Sequence, residues 1–190
     1  MSLTTLATLA IGFLALAYLV SLYNRLVQLK HNVEKAWANI DILLKQRHDE
    51  LPKLVEACKQ YKQFEGETLQ KVITARNQVQ TARQAQDMDA LGQAEGLLRS
   101  GLGQIYAVAE AYPELRSNES FLQLQTRISQ LENAIADRRE FFNEAVNINN
   151  VRVEQFPDKI VAGFFGFGTR ALLEFSSNEK ADVDLKTLFH

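Results

Sequence analysis

The chain has 190 residues, a formal net charge of -2 and a pI near 6.0, enough for one ordinary domain and with no overall attraction to nucleic acid or to an acidic membrane surface. A single cysteine, Cys58, excludes an internal disulfide framework. Three Pro and nine Gly leave little punctuation, which favours long helices over many short strands.

No charged side chain occurs between Met1 and Asn24. Leu3 to Val20 is roughly 27 Å of helix against a hydrocarbon core of about 30 Å. Its apolar bulk is Leu6, Leu9, Ile11, Phe13, Leu14, Leu16, Leu19 and Val20. Residues 1–22 are therefore expected to form a transmembrane anchor, because a helix satisfies its own backbone in lipid. Ala15-Leu16-Ala17 has the form of a signal-peptide cleavage site. However, no Lys or Arg precedes the run and hydrophobicity continues through Tyr18-Leu19-Val20, which reads as a retained span. Arg25, Lys30 and Lys35 follow it, so the positive-inside rule places the N-terminus outside and the body in the cytoplasm. Thr4, Thr8 and Gly12 share one face at a spacing that permits close helix approach in a bilayer, although small residues in an Ala- and Thr-rich span also align by chance.

Residues 23–157 read as an antiparallel helical bundle. Tyr23, Leu26, Lys30, Val33, Trp37, Ile40, Leu44, Arg47, Leu51, Leu54, Cys58 and Tyr61 alternate spacings of three and four, the seam of a helix packed along its length. Thr68, Val72, Ala75, Val79 and Ala82 continue the register. One helix from Tyr23 to Ala82 would be roughly 90 Å long, a rod standing off the membrane. Pro52 predicts a kink or a restart near Asp49, and Gly66 is a second soft point. Leu43, Val55 and Leu69 lie off the seam as a second apolar decoration.

Asp87 or Asp89 is expected to cap a helix whose apolar face holds Leu91, Leu98, Leu102, Ile105 and Val108, ending at Tyr112-Pro113. Gly92, Gly96, Gly101 and Gly103 either permit close helix contact or lower stability; the second reading is the safer one. Asn118 is the expected N-cap of the last long helix, with Phe121, Leu124, Ile128, Leu131, Ile135, Phe142, Val146, Val153 and Phe156 as its stripe up to Pro157. The fold class is all-α: a transmembrane helix running into three to four long antiparallel helices, with a short irregular C-terminal tail.

The tail, residues 158–190, concentrates Phe164, Phe165 and Phe167 between glycines. This cluster is expected to plug one end of the bundle, to meet a partner or sister subunit, or to touch lipid. Ala171 to Phe175 suits a short strand or docking segment, Ser176 to Lys186 a flexible stretch, and Leu188-Phe189 a terminal docking point.

The polar punctuation of these helices resembles that of the LemA family of bacterial membrane proteins. The resemblance is carried by Ala36-Trp37-x-x-Ile40-Asp41, Arg47-x-Asp49-x-x-Pro52, Val72-x-x-Ala75-Arg76, Tyr112-Pro113-x-Leu115, Glu132-Asn133-x-Ile135-Ala136 and Arg139-x-x-Phe142-Asn143, with Asn149 and Phe156-Pro157 closing it. Glu50, Lys53 and Ile148 depart from the family's usual residues. The resemblance implies a single-span anchor and a helical bundle at a bacterial cytoplasmic membrane. It supplies no catalytic mechanism.

No residue pattern for chemistry emerges. His31, His48 and His190 lack the helical spacing of a metal site, and no glycine-rich phosphate loop is present. No catalytic residue, metal or cofactor is assigned. Arg47 and Asp49 are expected to pair with Glu132, Asn133 or Arg138, a polar network that fixes register at some cost in stability; a partner-binding groove centred on them and ligand binding are the alternatives. On the register reading, Arg47→Leu should preserve or raise the melting temperature while broadening the oligomer distribution. The expected function is non-enzymatic: a membrane-anchored protein that self-associates as a scaffold in contact with the lipid bilayer. The alternative is an adaptor presenting its bundle to a membrane or soluble protein partner, such as a protease or stress-response component. No nucleic acid is expected as a partner.

Overall fold

A computed structural model describes residues 2–61 and 66–174. Among these there are six helices and no strand: α1 (Leu3–Lys59), α2 (Gly66–Ala85), α3 (Met88–Glu110), α4 (Pro113–Arg116), α5 (Glu119–Glu154) and α6 (Asp158–Phe165). The expectations for Phe175, for Ser176 to Lys186 and for Leu188-Phe189 fall outside the described residues. The chain forms two compact units, one of residues 1–40 and 138–172, the other of residues 41–137 and 173–190.

In the second unit the seam of α1 is core. Leu44, Leu51, Leu54 and Cys58 are buried, with Val72, Ala75, Val79 and Ala82 from α2, Leu91, Leu98, Leu102 and Ile105 from α3, and Phe121, Ile128, Leu131 and Ile135 from α5. Val55 and Leu69 are also buried, so they belong to the core and not to a second, outer face. At Gly101 a Cβ would lie 2.8 Å from Val72 Cγ2, so this glycine permits the close contact of α2 with α3. Here the packing reading replaces the expectation of mere lowered stability.

The first helix does not continue to Ala82; it ends at Lys59, and α2 begins at Gly66. Two helices whose stripes stay in phase leave the same spacing as one, so periodicity alone did not mark this break. Nor does the chain restart at Asp49, since α1 runs through Pro52. Proline removes the donor that would bond the carbonyl four residues back, here that of His48. That carbonyl instead accepts from Arg76 Nε of α2 at 2.9 Å, which keeps the acceptor satisfied.

The connections follow the expected caps. Asp87 accepts from Ala90 N at 2.9 Å to start α3, and Gln86 (φ 52) ends α2 in the left-handed region. Asn118 Oδ1 accepts from Phe121 N at 3.0 Å to start α5, while its Nδ2 donates to Tyr61 Oη at 3.2 Å. Arg83 reaches from α2 to Asp41 at 2.8 Å.

In the first unit Val33 and Ile40 of α1 and Phe142 and Val146 of α5 are buried, and Trp37 meets Phe142 with ring centroids 5.8 Å apart. Phe156 closes the predicted α5 stripe, but it lies beyond the end of the helix and is 81% exposed. Asp158–Phe165 is helical, so a two-turn element precedes the irregular part of the tail; 171–174 have no regular structure.

Arg76→Ala should orphan the His48 carbonyl and cost about 1–3 kcal/mol. In a Pro52→Ala background, where residue 52 regains its own donor, that cost should shrink. A double-mutant cycle from thermal melts checks the coupling; equal costs in both backgrounds would contradict it.

Candidate functional site

The Leu3–Val20 stretch is apolar on all sides, and none of its side chains is buried within the protein. Leu6, Leu9, Ile11, Phe13, Leu14, Leu16, Leu19 and Val20 are all more than half exposed or close to it. That pattern fits a helix whose solvent is lipid. Thr4, Thr8 and Gly12 are exposed as well; nothing lies within 4 Å of a Cβ built on Gly12, and the Thr8 hydroxyl donates to its own helix at Thr4 O and Thr5 O.

Immediately beyond the span, α6 packs Val161 and Ala162 against Leu22 and Leu26 of α1, with Val153 and Phe167 completing the cluster. Several polar contacts hold this corner. Asp158, buried, pairs with Arg152 at 2.8 Å. Gly166 (φ 73) takes the left-handed turn that a Cβ would oppose, and Phe167 N then donates back to Ala162 O at 2.9 Å. The returning backbone segment is clamped by Asn149 Nδ2 on Gly168 O (3.2 Å) and by Asn150, which bonds both the N–H and the C=O of Arg170 at 2.8 Å.

The three Phe residues do not behave alike. Phe165 and Phe167 set their rings against Tyr23 at 4.7 and 5.8 Å, while Phe164 is 85% exposed. A cleft of about 380 Å³ lies beside them, with Lys30, His31 and Arg170 at its rim.

The polar network differs from the expected one. Arg47 pairs with Glu95 of α3, both only 3% exposed, and not with Asn133 or Arg138. Asp49 and Asn133 are exposed, and so is Arg138, which stacks over Phe141 of its own helix at 5.7 Å. Glu132 does approach Arg47, though not as its hydrogen-bonded partner: burial pushes its carboxyl above the usual range, with Glu95 adding to the rise and Arg47 and Arg99 opposing it. Burial, then the Glu132 charge, raises the Tyr106 phenol. Glu95 could have been found in the sequence, since it stands on the α3 stripe between Leu91 and Leu98 just as Arg47 stands between Leu44 and Leu51. Two opposite charges in two facing seams read as a buried pair.

Cys58 is fully buried and its thiol is pushed up to about 12 by desolvation, which makes it inert as a nucleophile at neutral pH. His48, on α1, is pulled below its ordinary value by burial and by Arg76. Among the described residues no group of His, Cys, Asp and Glu is placed to hold a metal ion.

Arg47→Leu now strands a buried carboxylate, so it should destabilise by about 3–5 kcal/mol, the reverse of the sequence expectation, and Glu95→Leu in addition should recover most of the loss. For Glu132 the folded pKa lies above the unfolded one. Its stabilising neutral form is therefore fully present below the unfolded value and is lost as pH rises through the folded value. Glu132→Gln should melt several degrees above the parent at neutral pH, with the difference vanishing below about pH 4. A melt-against-pH series that shows no such convergence would contradict this.

Comparison with known proteins agrees with these features. The model of the LemA family matches residues 36–187. Protein LemA of Metamycoplasma hominis is 28% identical over 184 residues, which make up 95% of this chain and 81% of that protein. Magnetosome protein MamQ 2 of Paramagnetospirillum magneticum is 33% identical over 78 residues, 41% of this chain but only 29% of that protein. Magnetosome protein MamQ of Magnetospirillum gryphiswaldense is 32% identical over a stretch of the same length. None of these names carries an enzymatic activity. The apolar N-terminal helix and the family together indicate a membrane-associated protein, and the chain belongs to the LemA family.

Proposed function

We propose that this chain is a non-enzymatic scaffold, anchored by one span in the cytoplasmic membrane with its N-terminus out, that associates side by side with copies of itself. One observation carries the reading. On α5, Phe141, Ile148 and Val151 are all exposed, Phe141 by 63%. At about 100° per residue they fall within an arc of roughly 80°, which adjoins the buried Phe142, Val146 and Asn149 at Phe141 and turns away from them at Val151. These exposed apolar side chains, interleaved with the exposed Asp137 and Glu144, leave a strip beside the buried stripe for a neighbouring copy to cover. The open Thr4, Thr8 and Gly12 face of the span offers a close-packing contact within the bilayer. The likeness to magnetosome proteins supports a membrane-associated role.

The full-length protein, extracted in mild detergent, should give homomeric particles of several times the 21.5 kDa chain by mass photometry. Replacing Phe141, Ile148 and Val151 together by Ser should shift these to smaller species with helix content unchanged by circular dichroism. Monomers would contradict the scaffold. Complexes with other proteins would favour an adaptor.

A further inference from the structure

We infer that α6 is a second membrane contact: its outer face beds in the lipid–water interface of the bilayer that the Leu3–Val20 helix crosses. The inference rests on the anchor and not on self-association.

The level of α6 follows from its packing. It lies against Leu22 and Leu26, which stand roughly 3–9 Å beyond Val20 along the axis of α1. The headgroup zone on each side of a bilayer is about 5–8 Å thick, so the contact of α6 with Leu22 lies within it and that with Leu26 at its outer edge. Side chains that point away from α1 at that depth meet lipid, not bulk water.

Those side chains are apolar. With Val161, Ala162 and Asp158 turned inward, the opposite face presents Ile160 and Phe164, 63% and 85% exposed, and Phe156 joins them from the preceding turn. Phe and Ile on a short amphipathic helix at this depth are the composition of an interfacial element. Arg25 on α1, Lys159 on α6 and Arg170 after it are exposed and suited to lipid phosphates, while the carboxylate of α6 itself, Asp158, is buried. The face is also held in place. Arg152 on Asp158, Asn149 and Asn150 on the returning backbone, and Tyr23 against Phe165 fix α6 on α1. A face fixed beside the span faces lipid without any rearrangement.

The test uses the full-length protein carrying Trp37→Phe and Phe164→Trp, so that one tryptophan reports from the outer face. It is reconstituted in phosphatidylcholine–phosphatidylglycerol vesicles whose acyl chains are brominated near the headgroup. Bromine should reduce its emission by about twofold, and iodide in solution should have little effect, as expected for a residue in the interface. Ile160→Trp in the same background should behave alike, which guards against a local defect at one position. Quenching by iodide and not by bromolipid would overturn the inference. Protection from both quenchers would also overturn it, by showing the face covered by protein, and would leave self-association standing. Failure of the protein to float with the vesicles would remove the anchor and this inference together.

Discussion

The change of solvent along α1 governs the rest of the structure. Up to Val20 the helix is apolar and none of its side chains is buried within the protein, which suits a segment whose solvent is lipid. From Leu22 onward it carries a stripe alone, and a stripe must be covered by other helices. In the first unit α5 and α6 cover it; in the second, α2, α3 and α5 do. The constraint also explains where polar groups are tolerated. Arg47 interrupts the stripe and is accepted because Glu95 interrupts the facing one. Pro52 interrupts the backbone ladder and is accepted because Arg76 takes up the acceptor it frees.

These compensations give Asp41, Arg76 and Asn149 of the family resemblance a physical meaning. Asp41 receives Arg83, Arg76 serves Pro52, Tyr61 joins Asn118, and Asn149 holds the turn after α6. Arg83 and Arg76 each fix α2 against α1, while Asn118 and Asn149 each fix a connection. None brings a nucleophile to a base, and the one thiol is buried and protonated. Such a set of residues preserves geometry.

Much of this was legible in the sequence because it rests on period and on caps. The apolar N-terminal helix, the seam from Leu26 to Cys58, and the caps, with Asp87 taking the role offered to Asp87 or Asp89 and Asn118 the next, are local signals that the helices bear out. What escaped was pairing in space. The break between Lys59 and Gly66 keeps the phase of the repeat, so it left no mark in spacing. Arg47 was assigned to the wrong helix because a seam position says that a charge is buried and not which neighbour meets it. Phe156 matched a stripe by spacing, yet α5 had already ended. The Phe cluster was visible as composition, but only the turn at Gly166 and the packing on Leu22 and Leu26 separate inward Phe167 from outward Phe164.

Electron microscopy of the full-length protein in lipid nanodiscs tests the central claim of lateral assembly most directly. The account predicts homomeric particles in which the Phe141, Ile148 and Val151 sides of neighbouring α5 helices are in contact. Isolated chains with that side facing water would contradict it.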